Sequence, residues 1–151
     1  MEKAGERSGQ PVKRGTMAHE HELYMLLTES AVQRRDTMDL RIHAARLEEL
    51  AERDNHRLYL AIAQRAWGVA YRLDGEYSKA EERLNQALKL FSDLKTLWQA
   101  GRTLVELAEL DLSRSDQEGA RDHYSQAIKA FESMKALPEV ERLRVALKAI
   151  G

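Results

Sequence analysis

The chain has 151 residues, no cysteine, 24 basic and 25 acidic residues, and a formal net charge of −1. This length suits one domain with a continuous core. The lack of cysteine excludes disulfides, a thiolate nucleophile and cysteine zinc sites, and the balanced charge gives no general attraction to nucleic acid or anionic lipid.

The first seventeen residues are polar and rich in glycine, lysine, arginine and glutamate. They lack the apolar core of a secretory signal, and no stretch approaches the roughly 18 apolar residues that a membrane-spanning helix needs. We therefore predict a disordered leader over residues 1–17, a helical repeat domain over residues 18–151 and a cytoplasmic protein. Whether Met1 or Met17 is the natural start stays open.

Seven amphipathic helices are predicted after the leader. Apolar residues recur three and four positions apart, which is one face of an α-helix, and two prolines and eight glycines are few enough for long helices. In chain order the apolar stripes are Tyr24, Leu27, Ala31; Leu40, Ala44, Leu47, Leu50, Ala51; Leu58, Ile62, Trp67, Val69, Ala70, Leu73; Ala80, Leu84, Ala87, Phe91; Leu97, Leu104, Leu107, Ala108, Leu112; Ala120, Tyr124, Ala127, Phe131; and Val140, Leu143, Leu147.

Short polar turns separate these helices. Gly75 is suited to leaving a helix, because glycine enters left-handed backbone space without steric cost. Ser115 and Glu118 have the spacing of a capping box at the start of the next helix. Pro138 is placed for the first turn of the last helix.

The sequence repeats at an offset of 40 residues. Residues 77–91 align with residues 117–131, and the matching positions are Ala80/Ala120, Leu84/Tyr124, Gln86/Gln126, Ala87/Ala127, Leu88/Ile128, Lys89/Lys129 and Phe91/Phe131. The prediction is an all-α protein, an α-solenoid of about three antiparallel helix hairpins plus a C-terminal capping helix.

The pattern resembles the tetratricopeptide repeat family. Trp67-Gly68-x-x-Tyr71 is followed by Ala80-x-x-x-Leu84-x-x-Ala87, and the third copy keeps most of this pattern but has Asp111 for the aromatic residue and Ser115 for the turn glycine. The repeat of about 40 residues exceeds the usual 34 or so and is similar to repeats of bacterial signal-transduction proteins. The resemblance covers about residues 20–150, and the first copy is degenerate.

Small side chains are expected to let neighbouring helices approach, while larger ones fill the gaps between them. The predicted packing residues are Trp67, Gly68, Tyr71, Ala80, Leu84, Ala87, Phe91, Ala108, Ala120, Tyr124, Ala127 and Phe131. For Trp98 two roles stay open, namely packing between repeats or a partly exposed contact with a partner.

The resemblance implies that the first helix of each hairpin lines a concave groove that binds a peptide or protein. We call the predicted partner-binding residues the groove strip: Glu22, Met25, Glu29, Ile62, Arg65, Val69, Arg72, Arg102, Val105 and Glu109, with Val32 and Leu112 at its ends. Its arginines are suited to carboxylates. Val69 stands where family members that clamp a C-terminal carboxylate have asparagine, so that ligand is not predicted. The alternative is that these faces are merely solvated.

Catalytic, metal and cofactor sites are not predicted. His19 and His21 are two apart on a helix, so they point away from each other, and His43, His56 and His123 are read as surface residues. Paired glutamates lie on polar faces, and no phosphate-binding loop or nucleophile elbow occurs.

The predicted function is a non-catalytic protein–protein interaction module, within or related to a bacterial signalling or transcription regulator. The partner is a protein or peptide, with no direct contact to nucleic acid or membrane. The alternative is a self-associating scaffold, with a homodimer formed through the first hairpin because that end is less clearly capped.

Overall fold

The structure is a computed structural model that describes the backbone of residues 11–151 and the side chains of residues 19–151. This part of the chain is seven helices with no strand, which confirms the all-α prediction. The helices are α1 (Pro11–Arg34), α2 (Thr37–Arg53), α3 (Arg57–Leu73), α4 (Tyr77–Asp93), α5 (Leu97–Ser113), α6 (Gln117–Ser133) and α7 (Leu137–Ile150). Of the predicted leader, residues 1–10 lie outside the described residues, and α1 includes the rest.

The turns between helices share one backbone geometry and recur every twenty residues. Each contains one residue with positive φ, namely Arg35, Asn55, Gly75, Lys95, Ser115 and Lys135. The next amide donates to the carbonyl five residues back, as from Thr96 to Phe91 at 3.1 Å, so each of the helices α1 to α6 ends in a Schellman motif. The even turn length explains why the helices follow one another in a regular antiparallel stack.

The start of α6 differs from the predicted capping box. Ser115 has φ 61° and belongs to the turn, where it takes the place that Gly75 has one repeat earlier. Asp116 is the N-cap, and its side chain accepts a hydrogen bond from the amide of Gly119 at 3.0 Å. The capping box prediction was therefore wrong by one residue. Pro138 lies in the first turn of α7, as predicted.

The helices form two layers. Each helix packs on the next, and α1 also contacts α3, and α3 contacts α5, whereas α2, α4 and α6 do not contact one another within the described residues. The odd-numbered helices therefore form a tighter inner layer, and the solenoid curves around them. This inner layer is the concave face.

Small residues permit close approach at the helix joints. Ala80, Ala87, Ala120 and Ala127 have no exposed surface. A Cβ added to Gly68 would lie 2.5 Å from Leu84 Cγ, so the α3–α4 joint has no room for a side chain there. The other residues of the predicted packing set are also buried, except for the partly buried Trp67 and Tyr71.

The two tryptophans have different surroundings. Trp67 donates its indole N–H to Glu48 at 3.0 Å and stacks on Tyr71 with ring centroids 5.7 Å apart. Trp98 is 41% exposed and packs edge-on against Phe131 at 5.2 Å. Trp98 thus both packs and reaches solvent. None of the helices in the described part of the chain has the length and apolar character needed to cross a membrane.

Candidate functional site

A first ion-pair network crosses the concave face from α1 to α5. Glu29 on α1 accepts hydrogen bonds from Arg65 on α3 at 3.1 and 3.3 Å, and from Arg102 on α5 at 2.7 Å. One carboxylate therefore joins three successive inner helices. Burial by itself raises the pKa of Glu29, but the charges and hydrogen bonds of Arg65 and Arg102 outweigh it and hold this pKa below its usual value.

Arg65 is enclosed completely. Its residue exposure is 1%, and its second terminal nitrogen donates to the Gln99 carbonyl at 3.3 Å and to the Thr103 hydroxyl at 3.4 Å. Its guanidinium lies 5.0 Å from the centroid of the Phe91 ring, where a cation–π contact adds stabilisation. Both terminal nitrogens of Arg65 are thus bound by groups of its own chain, while its buried Nε has no hydrogen-bond partner among the described residues.

A second network lies about two helical turns farther along the same face, since Arg72 follows Arg65 by seven residues. Glu109 on α5 contacts Arg35 at 3.2 Å and Arg72 at 3.3 Å, and Glu106 lies 3.6 Å from Arg35 and 3.9 Å from Arg72. Burial and the neighbouring Glu106 raise the pKa of Glu109, against the opposing effect of Arg35 and Arg72. The guanidiniums of Arg35, in the turn after α1, and of Arg72, on α3, thus hold two carboxylates of α5 together.

The groove strip differs from its expected exposure at its centre. Ile62, Arg65 and Val69 are buried, and Arg72 is 12% exposed along its side chain, because α1 and α5 close over α3 from both sides. The predicted arginine–carboxylate recognition occurs, but the carboxylates belong to the same chain. The central part of the groove strip is therefore an internal packing surface and is not accessible to a binding partner.

Several other residues of the groove strip are more accessible. Glu22 and Leu112 are exposed, Met25, Arg102, Val105 and Glu109 are partly exposed, and Val32 is buried. Arg102, Val105 and Glu109 lie together on α5, whereas Glu22 and Met25 lie near the middle of α1. The structure thus leaves α5 as the accessible part of the concave face.

A cleft opens where the inner layer is interrupted. α5 and α7 do not contact each other within the described residues, and a cavity of about 370 Å³ lies between them and the end of α1. We call it the concave cleft. It is lined by Val32, Gln33, Arg35, Arg102, Val105, Glu106, Glu109, Phe131, Glu139, Arg142 and Leu143.

The concave cleft combines an apolar floor with a charged rim. Phe131 reaches it from α6, between α5 and α7, and Val105 and Leu143 lie beside it. Arg142 is 70% exposed along its side chain and is held by Glu139 at 2.8 Å. Glu106 is nine-tenths buried, and its Oε1 has no hydrogen-bond partner. Such a cavity can take an apolar side chain and offer charged groups to its neighbours.

Seven of the eleven residues that line this cleft were absent from the predicted groove strip. Glu139, Arg142 and Leu143 belong to α7, which was assigned only a capping role, and Arg35 belongs to a turn. Charged residues three apart, such as Glu139 and Arg142, mark an exposed helix face, but that signal alone does not show that the face borders a cleft.

The histidines have structural contacts. His21 is buried, and its Nε2 lies 2.9 Å from Asp54 in the α2–α3 turn. His56 caps α3 by accepting from the Tyr59 amide at 3.4 Å. His123 lies 2.5 Å from the buried Asp111, the residue that departs from the repeat pattern. Among the residues with described side chains, no cluster of three or more potential ligands could hold a metal ion.

Comparison with known protein families supports the resemblance to tetratricopeptide repeats. The sequence model of the tetratricopeptide repeat family matches residues 59–133, which contain most of α3 and all of α4, α5 and α6. The match covers the two hairpins on which the resemblance was based. No curated protein sequence matches the chain.

Proposed function

Because the chain is a tetratricopeptide repeat protein, a family of protein–protein interaction modules, we propose that it is a non-catalytic module that binds a peptide segment of a partner protein in the concave cleft. The observation that carries this proposal is the gap between α5 and α7, with Phe131 as its floor and Arg142 on its rim. The cleft holds about 370 Å³, which is enough for one or two side chains rather than a folded domain.

The preferred segment is apolar and acidic. An apolar side chain would cover the floor at Val105 and Leu143, and its burial would supply most of the affinity. Arg142 is the most exposed charged group of the lining, with 70% of its side chain exposed, against 37% for Arg35 and 33% for Glu109. A carboxylate beside the apolar residue would therefore meet a guanidinium first.

The regulatory setting is part of the same proposal. The 40-residue repeat is similar to repeats of bacterial signalling and transcription regulators, and a cysteine-free chain is suited to a reducing cytoplasm. The balanced net charge of −1 supports a protein partner over nucleic acid.

The test is selection of peptides from a displayed random library, followed by titration of the selected peptides against the full chain. We expect apolar and acidic sequences. Val105→Trp fills the cleft and Arg142→Glu reverses its rim, and each should raise the dissociation constant about tenfold or more. Binding can be followed by tryptophan fluorescence, since Trp98 contacts Phe131.

The matched control is Lys129→Glu, the same charge reversal at an exposed residue of α6 outside the cleft. It should leave the dissociation constant unchanged. Selected peptides that bind Val105→Trp and Arg142→Glu as tightly as the parent would refute the cleft as the binding site.

A further inference from the structure

A histidine caps the start of α3. His56 accepts a hydrogen bond from the Tyr59 amide through its Nδ1 at 3.4 Å, and the two rings stack with their centroids 3.9 Å apart. Side chains also cap α2 and α6, where Asp36 and Asp116 accept the bond. Aspartate keeps its charge throughout the neutral range, whereas histidine titrates between about pH 5 and 8. Of these three capped helices, α3 is therefore the one whose cap a proton can remove.

The cap bond requires the neutral ring of His56. A protonated imidazole carries a hydrogen on both nitrogens and cannot accept a hydrogen bond. It also places a positive charge at a helix N-terminus, where the helix dipole is positive as well. Protonation of His56 therefore removes a bond and adds a repulsion at the same place.

A second histidine faces His56 from α1. His21 is 7% exposed, and its ring centroid lies 5.4 Å from those of His56 and Tyr59. Its Nε2 lies 2.9 Å from Asp54 and 3.4 Å from the Leu50 carbonyl oxygen. Both partners are acceptors, so this Nε2 donates and ties α1 to the α2–α3 turn. Two rings so close together cannot both be charged without repelling each other.

The other charged groups around the two histidines are paired with one another. These pairs are Arg53 with Asp54 at 2.8 Å, Arg57 with Asp93 of α4 at 3.7 Å, and Arg46 with Glu20 of α1 at 3.3 Å. Burial, and then the charge of His21, lower the pKa of His56, and Asp54 has a smaller effect in the opposite direction. The folded protein thus binds a proton at His56 less readily than the unfolded chain does.

We propose that His21 and His56 form a pH-sensitive latch, in which acidification below neutral pH uncaps α3 and loosens the part of α1 around His21 from the α2–α3 turn. A proton on His21 leaves the latch closed, because Asp54 pairs with it. A further proton on His56 opens the latch. The latch goes beyond the proposed peptide binding, since neither histidine lines the concave cleft.

The pH range of the latch follows from the direction of the His56 shift. The pKa of His56 is lowered in the folded protein. Its stabilising effect is therefore complete above the unfolded pKa of about 6.5 and is lost as the pH falls through the lower folded pKa.

The experiment is amide hydrogen exchange of the full chain at about pH 7.5 and about pH 5.5, on either side of the usual histidine pKa. Exchange rates are corrected for the pH dependence of exchange in an unstructured chain. At the lower pH we expect the amides of Tyr59 and Leu60 to lose protection by about fivefold, the factor that corresponds to loss of one helix cap. The amides of α1 around His21 should lose protection over the same range.

The decisive variant is His56→Asn. Asparagine is a good N-cap and takes up no proton in this range, so the variant should keep its protection at the lower pH. The matched control is His19→Asn, which removes an exposed histidine of α1 and should lose protection as the parent does. An equal loss in His56→Asn and the parent, or no loss in the parent, would overturn the proposal.

An NMR titration of the histidine rings of the parent gives a second readout that needs no variant. The ring of His56 should take up its proton at a lower pH than the exposed ring of His19. If His56 titrates at the same pH as His19 or at a higher one, the latch does not exist.

Discussion

Removing the charge of Glu29 is expected to destabilise the protein strongly, because it leaves Arg65 charged and enclosed. Glutamine has the same shape and can still accept a hydrogen bond, so Glu29→Gln isolates the loss of charge. Arg65 is 1% exposed and cannot lose its proton. Breaking a buried pair from one side costs about 3–5 kcal/mol, and the remaining bonds from Arg65 to Gln99 and Thr103 place the expected loss near the lower value.

A loss of about 3 kcal/mol is a large part of the 5–15 kcal/mol that stabilises a typical domain. For a chain of this length it corresponds to a fall in the melting temperature of roughly 6–12 °C. Urea denaturation followed by circular dichroism measures it directly. The matched control is Glu81→Gln, whose partner Arg114 is on the surface, and it should cost about 1 kcal/mol or less.

The pH dependence should agree with this result. The pKa of Glu29 is lowered in the folded protein, so its stabilising effect is complete above the unfolded value of about 4.3 and is lost as the pH falls through the lower folded value. The parent should therefore approach Glu29→Gln in stability as the solution is acidified. A loss no larger than that of Glu81→Gln at neutral pH would refute the buried-pair reasoning.

Three other substitutions test separate features, each by urea denaturation. The pKa of Glu109 is raised in the folded protein, so the parent loses stability as the pH rises through the acid range and this carboxyl ionises. The free energy of unfolding of Glu109→Gln should therefore rise relative to that of the parent over this range, whereas that of Glu29→Gln should fall. Lys135→Gly should add about 0.5–1 kcal/mol, because Lys135 has φ 58° and glycine adopts that conformation without strain; no gain would contradict this. Gly68→Ala should cost about 1–3 kcal/mol by overpacking against Leu84, and a neutral result would show that the α3–α4 joint is looser than described.

The fold could be predicted because its signals are local and repeated. The stripe of Ala80, Leu84, Ala87 and Phe91 shows the helical period within a few turns, and the same stripe returns forty residues later. Only one of the six described turns contains glycine at its positive-φ position, so the regular spacing of the stripes predicted the turns better than glycine did.

The burial of the central groove strip could not be predicted from the same signals. The helical period places Arg65 on the side of α3 that faces the centre of the solenoid. It does not show whether the neighbouring helices lie close enough to cover that side. Its partner Glu29 is 36 residues away in sequence, and Arg102 joins the same carboxylate across 73 residues. The mixed charge of the groove strip was the one sequence signal of this burial, since opposite charges on neighbouring inner helices can pair with one another.

The same ion pairs explain why the accessible site lies at one end of the concave face. Glu29 draws α1 toward α5, and Arg35 repeats that link to Glu109, so the face of α3 closes. No equivalent pair links α7 to α5 among the described side chains: Arg142 is held by Glu139 on its own helix, and Arg144 by Glu132 on α6. α7 therefore follows α6 rather than α5, and the concave cleft opens between α5 and α7. Ion pairs between α1, α3 and α5 hold these helices together and close the concave face there. α7 has no such pair to α5 among the described side chains, so space for a partner remains between them.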